Sequence, residues 1–425
     1  MRGAALAARS AGLADGWIEL DRVKPMALME AHSCSPVGIW PLNPLFANLP
    51  TTVFTVMSGL AAEHGAINLG QGFPDDEGPQ DVRRAAAEAV MAGPNQYPPM
   101  QGLPVLREAV AEHYRRFQGL DLDWKTQVLV TSGATEALAA AIMALLAPGD
   151  EAVLLEPAYD SYAPQARVVG GVPRFVRLEP PDWKITREAL EKVTTSKTKI
   201  VLFNNPLNPA ARVYSAEELR VLADWCTAHD VIAVCDEVWE HVVFDNRAHV
   251  PLYALPGMAE RCVKIGSAGK IFSLTGWKVG WVCAPPALAA VIGKAHQFLT
   301  FTTPPNLQSA VAYGLGKDDA YFEAMRAGYA RSRDRLTAGL RAEGFALLPS
   351  EGAYFLDIDL PASGIAADDE TFCRRAVVEA GVAAIPVSAF YETDPVRTVA
   401  RLCFAKKDET IDAGIERLAK ARRLF

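Results

Sequence analysis

Ser267-Ala268-Gly269-Lys270-Ile271-Phe272-Ser273-Leu274-Thr275-Gly276-Trp277-Lys278-Val279-Gly280 follows the apolar run Cys262-Val263-Lys264-Ile265. That run reads as the end of a buried strand, so the hydroxyls and the first lysine of the longer stretch emerge at a sheet edge among glycines. Small residues there let a backbone and a ligand approach closely. A lysine in that setting is partly desolvated, which lowers its pKa and suits Lys270 to Schiff-base chemistry. Ser267 and Lys278 supply a hydroxyl and a cation suited to a phosphate. On this stretch alone, a solvated lysine in a glycine loop explains the residues equally well.

Working outward, the chain supplies more strand ends of the same kind. Gln127-Val128-Leu129-Val130-Thr131 reads as a strand that Ser132-Gly133-Ala134-Thr135 turns into an alanine-rich helix. Unpaired N–H groups and the positive end of the helix dipole then face outward, which suits an anion. Gly-Lys-Ser/Thr is absent, so this is not a P-loop. Glu151 to Glu156, Lys199 to Phe203, Val231 to Cys235 and Val279 to Cys283 are further buried strands, and Ser215-Ala216-Glu217-Glu218 is a capping box opening a helix that closes near His229. Strands and helices alternating from about residue 67 to 310 argue for an α/β protein with a three-layer α/β/α, mainly parallel sheet. Ligand groups gather at the carboxyl ends of such strands, where the Gly133 turn, Asn208, Asp236 and Lys270 all fall. Asp236-Glu237 leaves an apolar strand, so a buried cation or a metal is expected to answer the charge. His241 lacks a second ligand at metal spacing and reads as structural; no metal is expected.

Composition narrows the function classes. Half of the 425 residues are apolar and the formal charge is −8, without a basic run, which argues against a nucleic-acid partner. No apolar run reaches the ~18 residues of a membrane span. The seven cysteines lack Cys-x-x-Cys spacing and sit mostly in apolar runs, so they read as reduced and the compartment as cytoplasmic. Residues 1–42 show no clear period and read as an N-terminal extension: a disordered tail, or a start placed upstream of Met26 or Met29. The first fourteen residues carry Arg2 and Arg9 but no acid, which gives them a faint transit-peptide character.

Taken together, Ser-x-x-Lys and Thr-Gly-Trp-Lys-Val-Gly resemble the pyridoxal-phosphate lysine segment of fold-type I class I/II aminotransferases. The likeness runs from about Asn43 to the C-terminus and is strongest to the kynurenine, glutamine and methionine aminotransferase branch, which includes cysteine-conjugate β-lyases. It implies a large domain of residues 67–312 and a smaller α+β domain of 43–66 and 313–425. Lys270 would carry pyridoxal 5'-phosphate and act as general base and acid. Gly133, Ala134, Thr135, Ser267 and Lys278 would hold its phosphate, Tyr159 would stack on its ring, Asp236 would pair with the ring nitrogen, and Asn208 would bond the phenolic oxygen. Gly72 and Arg401 would take the substrate carboxylate; Asn208, Phe54 and Phe301 would also border the substrate. Tyr97 matches the tyrosine that reaches across a homodimer interface to the partner's cofactor phosphate, and Phe301 an aromatic that lines the partner's pocket. Two departures stand out: Leu207-Asn208-Pro209 replaces Asn-Asn-Pro, and Trp239 stands where most relatives carry a tyrosine. The implied reaction moves the amino group of an L-amino acid, with an apolar, aromatic or sulfur-containing donor favoured, to a 2-oxo acid by a ping-pong route. The same residues permit cysteine-S-conjugate β-elimination instead.

Overall fold

The computed structural model describes residues 42–425, so the readings made for residues 1–41 lie outside the described residues. Asn43 caps a short helix, Pro44–Ala47. Leu49–Phe425 forms one compact unit of its own.

The apolar runs expected as strands pair into one sheet of seven: β1 (Val128–Thr131), β2 (Glu151–Glu156), β3 (Val172–Arg177), β4 (Thr198–Asn204), β5 (Ile232–Asp236), β6 (Cys262–Ser267) and β7 (Gly280–Cys283). Their order is β1-β7-β6-β5-β4-β2-β3, and β7 alone runs against its neighbours. Strand β3 is the one the apolar pattern missed. It lies at the edge, carries Pro173, Arg174 and Arg177, and is largely exposed, as an edge strand is when it must not recruit another.

Alternation along the strands sorts side chains onto two faces. Val128, Val153, Val201, Phe203 and Cys235 enter one core with Leu106, Val110, Tyr114, Leu219 and Leu222 from helices Pro104–Gln118 and Ala216–His229. Leu129, Leu154, Leu202, Val234 and Ile265 enter another with Leu138, Ile142 and Ile292 from helices Gly133–Leu145 and Pro286–Leu299. The result is three layers. The capping box is formed, with Ser215 Oγ accepting from the Glu218 N–H at 3.3 Å and the Glu218 carboxylate accepting from the Ser215 N–H at 2.9 Å.

A third core joins Met57 and Ala61 to Leu336, Leu340, Phe355, Leu356 and Leu402, with Trp239, Val242 and Phe244 from the middle of the chain. Its sheet is antiparallel: β8 (Ala346–Leu347), β9 (Phe355–Asp359), β10 (Ile385–Pro386) and β11 (Val399–Cys403), in the order β10-β11-β9-β8. Strand β11 does not alternate between buried and exposed residues. All five of its residues are buried because both faces are covered, Val399 in the first core and Ala400 and Leu402 in the third.

A buried lysine sits inside the large sheet. Lys264 of β6 is wholly buried, donates to Glu237, and reaches Glu240 Oε2 at 2.8 Å. Glu240 also accepts from Tyr114 and Gln118, and Glu237 from the Leu252 N–H, with His249 Nε2 at 3.1 Å. Breaking such a network by removing its cation leaves two buried carboxylates unanswered. Lys264→Met should therefore destabilise the fold by about 3–5 kcal/mol, against about 1 kcal/mol for Ser215→Ala at the helix cap. Denaturant titration compares them; equal losses would show that the buried network carries no special weight.

Candidate active site

Three strands deliver their carboxyl ends to one place. Asn204 pairs in register with Asp236, and Asp236 with Ile265, two residues before the end of β6. Past these ends a cavity is lined by Gly133, Ala134, Thr135, Tyr159, Asn208, Asp236, Trp239, Ser267, Lys270 and Lys278, together with Leu138, Asn204 and Thr275. The expected cofactor-binding residues thus converge, Tyr97 excepted.

Lys270 lies on the short helix Ala268–Ile271 that starts directly from β6. Burial pulls its ammonium down to about 8; Arg401 and Lys278 push the same way, while Cys403 and Asp236 oppose. Nζ donates to Gly72 O at 3.4 Å and to the Tyr354 hydroxyl at 3.3 Å, and Tyr354 itself donates to Gly72 O at 2.8 Å. Trp239 presents its ring face to that amine, 4.5 Å from Nζ to the centroid, and meets Tyr354 edge-on. Tryptophan at 239 therefore forms an aromatic wall beside the lysine.

Asp236 is buried, and burial raises its carboxyl pKa. Oδ2 accepts from the Tyr162 hydroxyl at 2.7 Å, whereas Oδ1 has no partner. Asn208 Oδ1 accepts from Arg401 Nη1 at 2.7 Å; because arginine only donates, the amide nitrogen of Asn208 is left for another acceptor. Ser132 caps none of the first-turn N–H groups of helix Gly133–Leu145 with its side chain. Gly133 holds φ +76, and a Cβ there would meet Lys278 Cε at 3.3 Å. Lys278 Nζ reaches Thr135 Oγ1 at 3.3 Å.

Arg401 is 1% exposed. Besides Asn208 it donates to Gly70 O at 2.7 Å, and its guanidinium lies over Phe355 at 4.1 Å and over Phe54 and Phe390 at 5.4 Å each. Tyr97 and Phe301 do not line this cavity; both are exposed at the surface, with ring centroids 5.5 Å apart. Sequence reasoning missed Tyr162, Tyr354, Phe355 and Phe390. The first two are buried aromatics whose hydroxyls matter only through tertiary contacts, and no spacing marks them. His241 does have a partner: His113, from helix Pro104–Gln118, with 2.6 Å between the Nε2 atoms. Burial drives both imidazoles toward the neutral form, His113 to about 4, so one N–H serves the other nitrogen. Glu240 completes a group whose ligand atoms lie within 4.8 Å, but its oxygens are taken by Lys264, Tyr114 and Gln118.

The sequence model for aminotransferase class I and II matches residues 64–418. This chain belongs to that family. Among its relatives, a probable N-succinyldiaminopimelate aminotransferase of Mycobacterium tuberculosis is 44% identical over 381 residues, 87% of this chain and 96% of that protein. A methionine aminotransferase of Escherichia coli is 41% identical, covering 88% and 98%, and kynurenine–oxoglutarate transaminase 1 of Homo sapiens is 36% identical, covering 85% and 93%. The solved Mycobacterium and Escherichia structures each superpose with a TM-score of 0.86, at 43% and 40% identity, over 90% and 89% of this chain and all of theirs. Methionine and kynurenine aminotransferases are the branch the motifs indicated.

Class I/II aminotransferases depend on pyridoxal phosphate, and this aminotransferase's cavity fits that group. Its unpaired Asp236 oxygen suits a protonated ring nitrogen, and its uncapped helix start beside Lys278 suits a phosphate. At Gly133 any side chain would enter that cradle from a strained backbone. Gly133→Ala should weaken cofactor binding about tenfold or more while leaving the far-ultraviolet circular dichroism unchanged. Titration of apoenzyme with pyridoxal phosphate measures this; unaltered affinity would place the phosphate elsewhere.

Proposed function

We propose that this aminotransferase takes its amino group from an L-amino acid with an apolar, aromatic or sulfur-containing side chain, passes it to a 2-oxo acid, and works as a homodimer in the cytoplasm. The observation that carries the donor reading is the setting of Arg401. Its guanidinium is buried, hydrogen-bonded only to the neutral oxygens of Asn208 and Gly70, and walled by Phe54, Phe355 and Phe390. A cation so placed is poised for a carboxylate, and the rings around it favour an apolar remainder.

When bound, pyridoxal phosphate supplies the electron sink that lets the substrate's α-carbon lose its proton. Asp236 would hold its ring nitrogen; Asn208 its phenolic oxygen; Tyr159 its ring; and Gly133, Ala134, Thr135, Ser267 and Lys278 its phosphate. Lys270 Nζ, whose lowered pKa leaves a useful neutral fraction near pH ~8, takes the proton from the substrate α-carbon and returns one in the reverse half-reaction. Tyr354 and Gly72 O hold that amine in place between transfers. Arg401 orients the α-carboxylate, and Gly72 borders the same region through its backbone.

Support for the dimer comes from a surface patch. Tyr97 and Phe298 are 82% and 81% exposed, with Phe301 and Leu299 beside them in the chain or in contact. The cytoplasmic reading rests on six free cysteines buried among the described residues. A second donor, N-succinyldiaminopimelate, is favoured by the relative at 44% identity that carries that name.

Arg401→Ala should reduce kcat/KM for α-amino acids by roughly 30- to 150-fold, or about 2–3 kcal/mol, because the substrate anion loses its charged partner. Amines lacking the carboxylate should change little. In a donor panel, methionine, phenylalanine and kynurenine should exceed aspartate; N-succinyldiaminopimelate above all of them would establish the second reading. Equal losses for carboxylated and decarboxylated donors would assign Arg401 a purely structural part.

A further inference from the structure

Arg401 has a neighbour that the reaction has not used. Asp357 of β9 is its register partner on β11, so the two side chains leave the same face of the sheet from Cα positions about 4.5–5.5 Å apart. Both residues are 1% exposed. Both carboxylate oxygens of Asp357 and Nε of Arg401 lack hydrogen-bond partners. A guanidinium bonded only to neutral acceptors in such a place needs a counter-charge, and Asp357 lies next to it across the sheet.

We propose that Asp357 is the counter-ion of Arg401 when no carboxylate is bound, and that it takes up a proton when a substrate carboxylate occupies the guanidinium. The charge balance favours this exchange. With Asp357 ionised, arginine and aspartate sum to zero before binding; afterwards arginine, the ligand carboxylate and a protonated aspartic acid also sum to zero. The proton comes from solvent, and the exchange spares the buried cluster a second anion. Without that uptake, a second anion would enter a buried site beside the first.

The titratable groups around the pair are few. Asp357 feels chiefly its own burial, which raises its carboxyl to about 8, and Arg401, which opposes the rise. Tyr391 feels Asp357 but gives its hydroxyl to Leu178 O, and burial keeps that phenol protonated. Arg401 is influenced in turn by Cys403, Tyr354 and Asp160, and burial draws it down to about 10. Asp357 thus titrates in the neutral to mildly basic range; Lys270, lowered to about 8 and sensitive to Arg401, titrates there too, so it is the comparison with Asp357→Asn that assigns the proton to Asp357. A bound carboxylate raises its pKa further, so the protonated form binds ligand better and affinity falls as pH rises through the free-state pKa.

The inference rests on Arg401 being the carboxylate site, and the test separates the two. Holoenzyme is titrated with 3-phenylpropionate, a carboxylate without an amine, by calorimetry in buffers of different ionisation enthalpy. Wild type should take up ~0.5 proton per ligand near the Asp357 pKa, and its affinity should fall up to about tenfold between pH ~7 and ~9. Asp357→Asn, isosteric and neutral, should lose the uptake and keep the low-pH affinity throughout; Asp357→Leu should do the same. Unchanged uptake and pH slope in Asp357→Asn would overturn the proposal, as would loss of binding at every pH in that variant. If neither variant folds, wild-type calorimetry decides: no proton uptake overturns it. Undiminished binding by Arg401→Ala would instead remove the reading beneath it.

Discussion

Two carboxylates in succession at the end of a strand buried on both faces are a constraint that the surrounding structure has to answer. Asp236 and Glu237 stand one residue apart, both inside, and their environments differ. Glu237 is matched by Lys264, His249 and the Leu252 N–H, and its carboxyl is held well below the usual range, at about 2, despite full burial. Asp236 receives one hydroxyl, from Tyr162, keeps one bare oxygen at the cavity, and is pushed upward by burial. The first is a closed account of charge and holds the sheet together. The second is left open toward whatever occupies the cavity, which is how a site differs from a core.

The same logic runs through the cationic side. Lys264 and Lys270 lie six residues apart on one strand-to-helix passage. Lys264, between two carboxylates, has its ammonium raised above the ordinary range; Lys270, against Trp239 and Tyr354 with Asp236 as its more distant anion, is lowered to about 8. Burial lowers both, and the near carboxylates alone reverse the sign for Lys264. Arg401 follows Lys270 in being buried without a hydrogen-bonded carboxylate, so the two groups proposed to carry the chemistry are those the fold leaves incompletely paired.

Much of this was legible in the sequence because it depends on local order. Apolar runs gave the strands, Ser215 and Glu218 the cap, and the small residues at 132–135 and 267–270 the turns at which ligand groups emerge. The expectation of a cation for Asp236-Glu237 holds for Glu237, whose cation is Lys264, already visible as a charge in the run Cys262 to Ile265; Asp236 has no cation bonded to it among the described residues. What stayed hidden depends on distance in space. Tyr162 reaches Asp236 across 74 residues, Tyr354 reaches Gly72 across 282, and His113 meets His241 across 128. No local period encodes these contacts. Strand β3 was obscured for the opposite reason: an edge strand with Pro173 and two arginines is built not to look like a core strand. Strand β11 carries a charge, Arg401, whose burial shows only once Asn208, Gly70 and three phenylalanines are seen around it.

The account turns on Lys270 being the amine that carries the cofactor, since its desolvation, its position past β6 and its contacts with Gly72 and Tyr354 all serve that one nitrogen. Borohydride reduction of the holoenzyme fixes the cofactor to its lysine, and peptide mass spectrometry then locates it. The account predicts the pyridoxyl mass on the peptide containing Lys270 and on no other. Finding it on Lys264, Lys278 or any other lysine would contradict the assignment at its centre.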